Sequence, residues 1–184
     1  MTLHRPPLTS RNLSAACLLF GMLLTSPLHA SEPTAEIGSM PLESGEFLLT
    51  RYPAYKKAYL KYHPSPESLQ QISTALSNES LEVHAFYYIW CRDSKREIPR
   101  LLKLADLINE PKTASMHVQL IPLDSKNKRL DGGKEMHIQR TPTFILYQSG
   151  KEIGRIEERA RPHIAGALEH ILLVPAESSP IKGG

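Results

Sequence analysis

The fold is decided by residues 81–99, which read LEVHAFYYIWCRDSKREIP. The first part, 81–89, is rich in Val, Phe, Tyr and Ile and predicts a buried β-strand. The stretch 93–109 predicts a helix, in which Pro99 removes one backbone donor and should produce a kink. The apolar face of that helix would comprise Ile98, Leu101, Leu102, Ala105 and Ile108. Cys91 therefore stands where a strand ends and a helix begins.

The segments on either side alternate between helices and strands. The further helices are predicted at 53–62, 66–76 and 162–173, with a short one that includes Met136, and the further strands at 116–123, 143–147 and 152–156. Ser65 and Pro66 supply a cap and a first helical residue, and Ser149-Gly150 supplies a turn. Strands separated by helices predict an α/β fold, with a central mixed sheet of four to five strands flanked by helices and preceded by an N-terminal helical extension.

Four tyrosines recur at helical spacing in the segment 53–62 and immediately before it. They are Tyr52, Tyr55, Tyr59 and Tyr62. This spacing places them on one helix face, which we interpret as a docking surface rather than a cofactor site.

The N-terminus has the pattern of a secretory signal peptide over residues 1–30. A basic start with Arg5 and Arg11 is followed by an apolar run of about a dozen residues and a small-residue exit at Ala30. The run is shorter than the roughly 20 residues that span a bilayer. We therefore expect a periplasmic or secreted bacterial protein without stable membrane insertion after cleavage. The alternatives are an uncleaved inner-membrane anchor and a lipoprotein modified at Cys17.

Removal of the signal changes both the charge and the thiol count. The chain has 22 basic and 19 acidic residues, and the loss of two arginines brings the net charge near zero, which gives no reason to expect nucleic acid as a partner. Of the two cysteines only Cys91 would remain. We expect a flexible lead-in at 31–45, one domain at 46–174 with its core at 80–173, and a disordered tail at 175–184.

The position of Cys91 predicts a lowered thiol pKa. Backbone N–H groups at a helix N-terminus stabilise a thiolate, and Arg92, Lys95 and Arg96 add positive charge. Asp93 would act in the opposite direction, and Ser94 could donate a hydrogen bond to the thiolate but cannot form a disulfide. The alternative is that Cys91 is a small buried apolar residue.

The order of these features resembles the thioredoxin family over residues 80–173. The matching features are Phe86, Trp90-Cys91, Pro99, Thr141-Pro142-Thr143, Gly150 in the hairpin and the last helix. The stretch Trp90-Cys91-Arg92-Asp93-Ser94 is similar to a bacterial exported subgroup with the pattern Trp-Cys-x-Asp-Ser. The Tyr-Pro-Ala-Tyr segment and Gly154-Arg155-Ile156-Glu157-Glu158 extend that similarity from about residue 46.

The resemblance implies roles for individual residues. Cys91 corresponds to the exposed attacking cysteine, Trp90 would shield the thiol, and Pro142 matches a cis-proline whose loop faces the thiol and pairs with the substrate backbone. Thr141, Arg92 and Asp93 are then candidate substrate-binding residues. The alternative for Trp90 is a core tryptophan, and the alternative for Pro142 is an ordinary trans turn.

Two positions depart from the family pattern. Ser94 replaces the second cysteine, which makes the motif CxxS, and Ala85 replaces the buried acid six residues before the first cysteine. A dithiol cycle within this chain is therefore impossible.

The function that these features favour is thiol–disulfide exchange through one cysteine, by way of mixed disulfides. The expected partners are exported proteins that carry disulfides or thiols, or glutathione. No cofactor or metal is expected, because the histidines show no close ligand pair. Two alternatives remain open: a redox-inactive thioredoxin-fold binding module that uses the groove at Pro142 and the tyrosine face, and a single-cysteine thiol sensor.

Overall fold

The computed structural model describes residues 43–123 and 136–174 of the chain. Its elements are α1 Gly45–Arg51, α2 Pro53–Lys61, α3 Pro66–Ala75, β1 Leu81–Tyr87, α4 Arg92–Asn109, β2 Met116–Pro122, β3 Thr143–Gln148, β4 Lys151–Glu157 and α5 Ile164–Leu173. The predicted signal peptide and the predicted tail lie outside the described residues, and the short helix predicted to include Met136 is wrong at that residue, because Met136 and His137 form a turn.

The four strands form one mixed sheet in the order β2-β1-β3-β4. β1 runs parallel to β2 and antiparallel to β3, and β3 and β4 form the antiparallel hairpin predicted at Ser149-Gly150. Ser149 and Gly150 both have positive φ, at 48° and 75°, as a tight hairpin turn requires. The predicted α/β fold with a mixed four-stranded sheet flanked by helices and preceded by further helices is confirmed.

The pairing register determines which chain segments meet at the end of β1. Phe86 pairs with Ile121 of β2 and with Thr143 of β3. Because β1 and β3 are antiparallel, the C-terminal end of β1 lies beside the start of β3. This geometry brings the loop that precedes Thr143 to the segment that carries Cys91.

Local sequence signals explain the helix starts. The side chain of Ser65 accepts a hydrogen bond from the Ser68 N–H, and Pro66 occupies the first turn of α3. α4 continues through Pro99 and buries an apolar face that includes Leu104. The predicted face was wrong at one position, because Leu102 is only partly buried and packs on the outside of the core, whereas Leu104 lies within it.

The tyrosine face is not a docking surface for a partner, and that prediction is wrong. Tyr55 is fully buried and its hydroxyl donates to the Ile89 carbonyl at 3.1 Å. The Tyr59 hydroxyl donates to Asp106, and the Tyr62 ring lies 5.7 Å from the Arg100 guanidinium. The face packs against α4 of the same chain, because this contact removes the apolar surface of the tyrosine rings from water.

Three smaller boundaries also differ from the predictions. Residues 43–45 are not part of a lead-in, since Glu43 forms a bridge with Leu120 and Ser44 caps α1, a helix that the sequence analysis did not predict. β1 ends at Tyr87 rather than residue 89. α5 starts at Ile164, because His163 is its N-cap and accepts a hydrogen bond from the Gly166 N–H.

Candidate thiol site

Cys91 is the N-cap residue of α4 and is partly exposed. Its backbone N–H donates to the Tyr88 carbonyl at 3.0 Å, and its carbonyl accepts the first helical hydrogen bond from Lys95 at 3.0 Å. The chain thus makes one tight turn between the end of β1 and the start of α4. The thiol is consequently held at the helix N-terminus, where backbone N–H groups are free to bind an anion. The buried-cysteine alternative does not fit this exposure.

The loop before β3 faces the thiol. The Cys91 Sγ donates to the Thr141 carbonyl at 3.3 Å, and the Thr141–Pro142 peptide bond is cis, as the resemblance implied. The Pro142 carbonyl accepts from the Glu158 N–H at 2.7 Å, and the buried Thr143 hydroxyl donates to the Arg140 carbonyl at 2.7 Å. These bonds fix the loop on both sides of Pro142.

The environment of the thiol lowers its pKa overall. Burial raises the pKa of Cys91, but hydrogen bonds to the thiolate from the Ser94 N–H and hydroxyl, from the Thr141 side chain and from the Asp93 N–H outweigh it. The predicted direction is therefore correct. Ser94 is fully buried, and its Oγ has no hydrogen-bond partner within residues 43–123 and 136–174. A thiolate would satisfy that hydroxyl.

The charged residues near Cys91 do not influence its pKa in the way that the sequence predicts. Arg96 is held by Asp93 at 2.9 Å and by the buried Glu97 at 2.6 Å, while the side chains of Arg92 and Lys95 are exposed. Hydrogen bonds, rather than these cations, lower the pKa of Cys91. Asp93 also lies 3.6 Å from Arg159, so its negative charge is balanced by two arginines and does not oppose the thiolate as we had expected.

Trp90 is exposed to solvent, whereas Ala85 is buried in the sheet. Trp90 is 60% exposed and stacks on Tyr88, with 4.9 Å between ring centroids, so it is not a core tryptophan. Shielding of the thiol by Trp90 stays a prediction. Ala85 is fully buried in β1, the place where the family pattern has an acid.

Three residues at the site were missed by the sequence analysis. Tyr55 anchors the turn two residues before the cysteine, Arg159 reaches Asp93 from the loop after β4, and Glu97 is 1% exposed within α4. Only Glu97 had a signal in the sequence, because it lies one helical turn after Ser94 and so shares its buried face. The other two depend on contacts across the fold.

The described residues contain neither a cluster of metal-ligating side chains nor a helix suited to crossing a membrane. Within residues 43–123 and 136–174, no group of three or more His, Cys, Asp or Glu side chains could hold a metal ion. No helix in the same ranges combines the length and the apolar character needed to cross a membrane.

Comparison with known proteins is consistent with this architecture. A family model described as thioredoxin matches residues 48–169. An HIV epitope-scaffold crystal structure is similar at 13% identity and a TM-score of 0.54, covering 76% of this chain and 94% of the scaffold. Thioredoxin f2 of Chlamydomonas reinhardtii is similar at 25% identity and a TM-score of 0.34, covering 48% of this chain and 78% of its own.

Thioredoxin of Trypanosoma brucei brucei is also similar, at 25% identity and a TM-score of 0.36, covering 59% of this chain and 83% of its own. No curated protein matches the sequence.

Proposed function

This chain belongs to the thioredoxin family, and on that premise we propose that it is an exported protein that performs thiol–disulfide exchange through Cys91 alone. The Cys91 thiolate attacks one sulfur of a partner's disulfide, and a mixed disulfide forms as the partner's own S–S bond breaks. The departing sulfur leaves as a thiolate and takes a proton from water. A thiol from outside then attacks the mixed disulfide and releases Cys91.

One observation carries the proposal: the Cys91 Sγ lies 3.3 Å from the Thr141 carbonyl, at the N-terminus of α4, in surroundings that lower its pKa. A nucleophilic thiol needs a thiolate, partial exposure and an approach path for the partner. The cis-Pro142 loop lies beside the thiol, where the backbone of a partner could pair with it.

The single-cysteine mechanism follows from the residue at position 94. A dithiol protein resolves its own mixed disulfide with a second cysteine three residues later, and here that position holds a buried serine. The mixed disulfide therefore persists until an external thiol arrives. This property suits disulfide isomerisation, removal of glutathione from proteins, or retention of a partner.

Export and membership of the Trp-Cys-x-Asp-Ser subgroup belong to the same proposal. They rest on the sequence of residues 1–30 and on the motif at residues 90–94. In an oxidising compartment, disulfide-bonded partners are available for exchange. A lone thiol without a role in exchange would be prone to unwanted disulfide formation there.

An acid-quench experiment tests the proposal. The full chain is produced in a bacterial host, trapped with acid and an alkylating agent, and analysed by mass spectrometry. We expect a mature mass without residues 1–30 and a fraction of Cys91 in mixed disulfide, with none in Cys91→Ser. Only free Cys91 after quenching, together with reaction no faster than a model thiol at pH 7, would refute the mechanism. An intact N-terminus would refute signal cleavage separately.

A further inference from the structure

We infer that the disulfides exchanged by Cys91 are those flanked by carboxylates, in acidic protein segments or in glutathione disulfide. This inference rests on the proposed function and adds the substrate class to it. It derives from the charges at the thiol end of the sheet, where Asp93 and Glu158 are paired with arginines and three exposed cations make no ion pair within residues 43–123 and 136–174.

Two of the acids near the thiol are bound by arginine, whereas Glu157, which pairs with Thr143 across the β3–β4 hairpin, is exposed and makes no ion pair within residues 43–123 and 136–174. Asp93 lies 2.9 Å from Arg96 and 3.6 Å from Arg159. Glu158, whose N–H binds the Pro142 carbonyl, lies 2.9 Å from Arg140. The charges of Asp93 and Glu158 are therefore balanced within the chain, and Glu157 is the exposed acid that opposes the unpaired cations at this end.

Three exposed cations at this end have no such partner. Arg92, Lys95 and Arg161 make no ion pair within residues 43–123 and 136–174, and all three side chains are exposed. Arg92 adjoins the thiol and Lys95 lies one helical turn further on. Arg161 belongs to the loop that Arg159 ties to Asp93, so it lies at the same end of the sheet as the thiol.

The arginines that are already paired with acids add positive charge at the same end of the sheet. The side chains of Arg140 and Arg159 are 60% and 57% exposed, so each can also bind a second carboxylate. Arg140 directly precedes Thr141, the residue whose carbonyl contacts the Cys91 Sγ. Cations from the start of α4 and from the loops before β3 and after β4 thus lie at the end of the sheet that carries the thiol, and a partner with carboxylates beside its disulfide is attracted there.

A matched pair of peptides tests the inference. Both have one cysteine activated as a 2-thiopyridyl disulfide, and they differ only in flanking glutamates or flanking lysines. The leaving group is the same, so its release reports the rate of attack by Cys91. The protein is the full chain with Cys17→Ser, and rates are divided by those of the neutral thiol 2-mercaptoethanol with the same peptide.

We expect the acidic peptide to react about tenfold faster at about 10 mM ionic strength, and this ratio to fall toward one at about 0.5 M salt. The triple variant Arg92→Gln, Lys95→Gln, Arg161→Gln should lose most of the preference. Lys151→Gln is the matched control and should keep it, because Lys151 lies at the hairpin end of the sheet, opposite the thiol.

The outcomes separate the inference from the proposed function. Equal rates, a preference for the basic peptide, or a preference that survives the triple variant would overturn charge selection and leave thiol exchange intact. Failure of both peptides to react faster than with 2-mercaptoethanol would overturn the proposed function and this inference with it. Glutathione activated as the same 2-thiopyridyl disulfide distinguishes the two sources: reaction as fast as with the acidic peptide supports the small disulfide, and slower reaction supports acidic protein segments.

Discussion

Replacement of Ser94 by alanine removes the hydroxyl that stabilises the Cys91 thiolate. Ser94 is fully buried, and its Oγ has no other hydrogen-bond partner within residues 43–123 and 136–174. A hydrogen bond to a charged group contributes about 1.5 kcal/mol, which corresponds to roughly a tenfold change in the ratio of thiolate to thiol. The pKa of Cys91 should therefore rise in Ser94→Ala.

The effect on rate has two opposing parts. Well below the pKa of Cys91 the variant holds about tenfold less thiolate, but a more basic thiolate is intrinsically about threefold more nucleophilic. The variant should then react about threefold more slowly at low pH and about threefold faster at high pH, where the Cys91 thiol is fully ionised in both the variant and the unmodified chain. The two pH–rate profiles should cross.

The assay is stopped-flow reaction with a dipyridyl disulfide across the pH range in which cysteine thiols ionise. The matched control is Ser68→Ala, another buried helical serine, on α3, whose replacement should leave the profile unchanged. Superimposable profiles for Ser94→Ala and the unmodified chain would refute the role assigned to the hydroxyl. Parallel profiles that never cross would refute its action through the thiol pKa.

Three further substitutions test the site and its support. Ser94→Cys restores a second thiol three residues after Cys91, and we expect a disulfide within the chain and the loss of mixed disulfides from the acid-quench trap. Glu97→Ala leaves two partly exposed arginines without their buried carboxylate, and should lower the free energy of urea unfolding by about 1–2 kcal/mol. Gly154→Ala places a Cβ 2.9 Å from Ile171 Cγ2, and should cost about 1–2 kcal/mol in thermal unfolding.

Each of these has its own control. Mixed disulfides that accumulate undiminished in Ser94→Cys would contradict the resolving role assigned to position 94. Glu110→Ala, an exposed acid at the end of the same helix, should change stability by less than about 0.5 kcal/mol, and an equal effect for Glu97 would show that its burial is unimportant. Gly154→Ala should cost nothing further in an Ile171→Ala background, where the contact is gone.

Much of the fold was predictable because its signals are local. The alternation of strands and helices, the Ser65-Pro66 helix start and the Ser149-Gly150 turn each depend on residues within a few positions of one another. The tyrosine face was predictable as a face but not as an interior one. Amphipathic spacing shows which residues lie together, and only the position of α4 decides whether they meet solvent, a partner or the chain's own core.

The stretch from Leu81 to Pro99 by itself determined a strand before Cys91 and a helix after it, because these depend on local backbone preferences and periodicity. It determined also that no second thiol lies three residues on. Only the tertiary structure decided what surrounds that thiol. The Thr141 carbonyl reaches it from 50 residues away, and Arg159 balances Asp93 from the loop after β4, because the antiparallel pairing of β1 and β3 brings those segments to one end of the sheet.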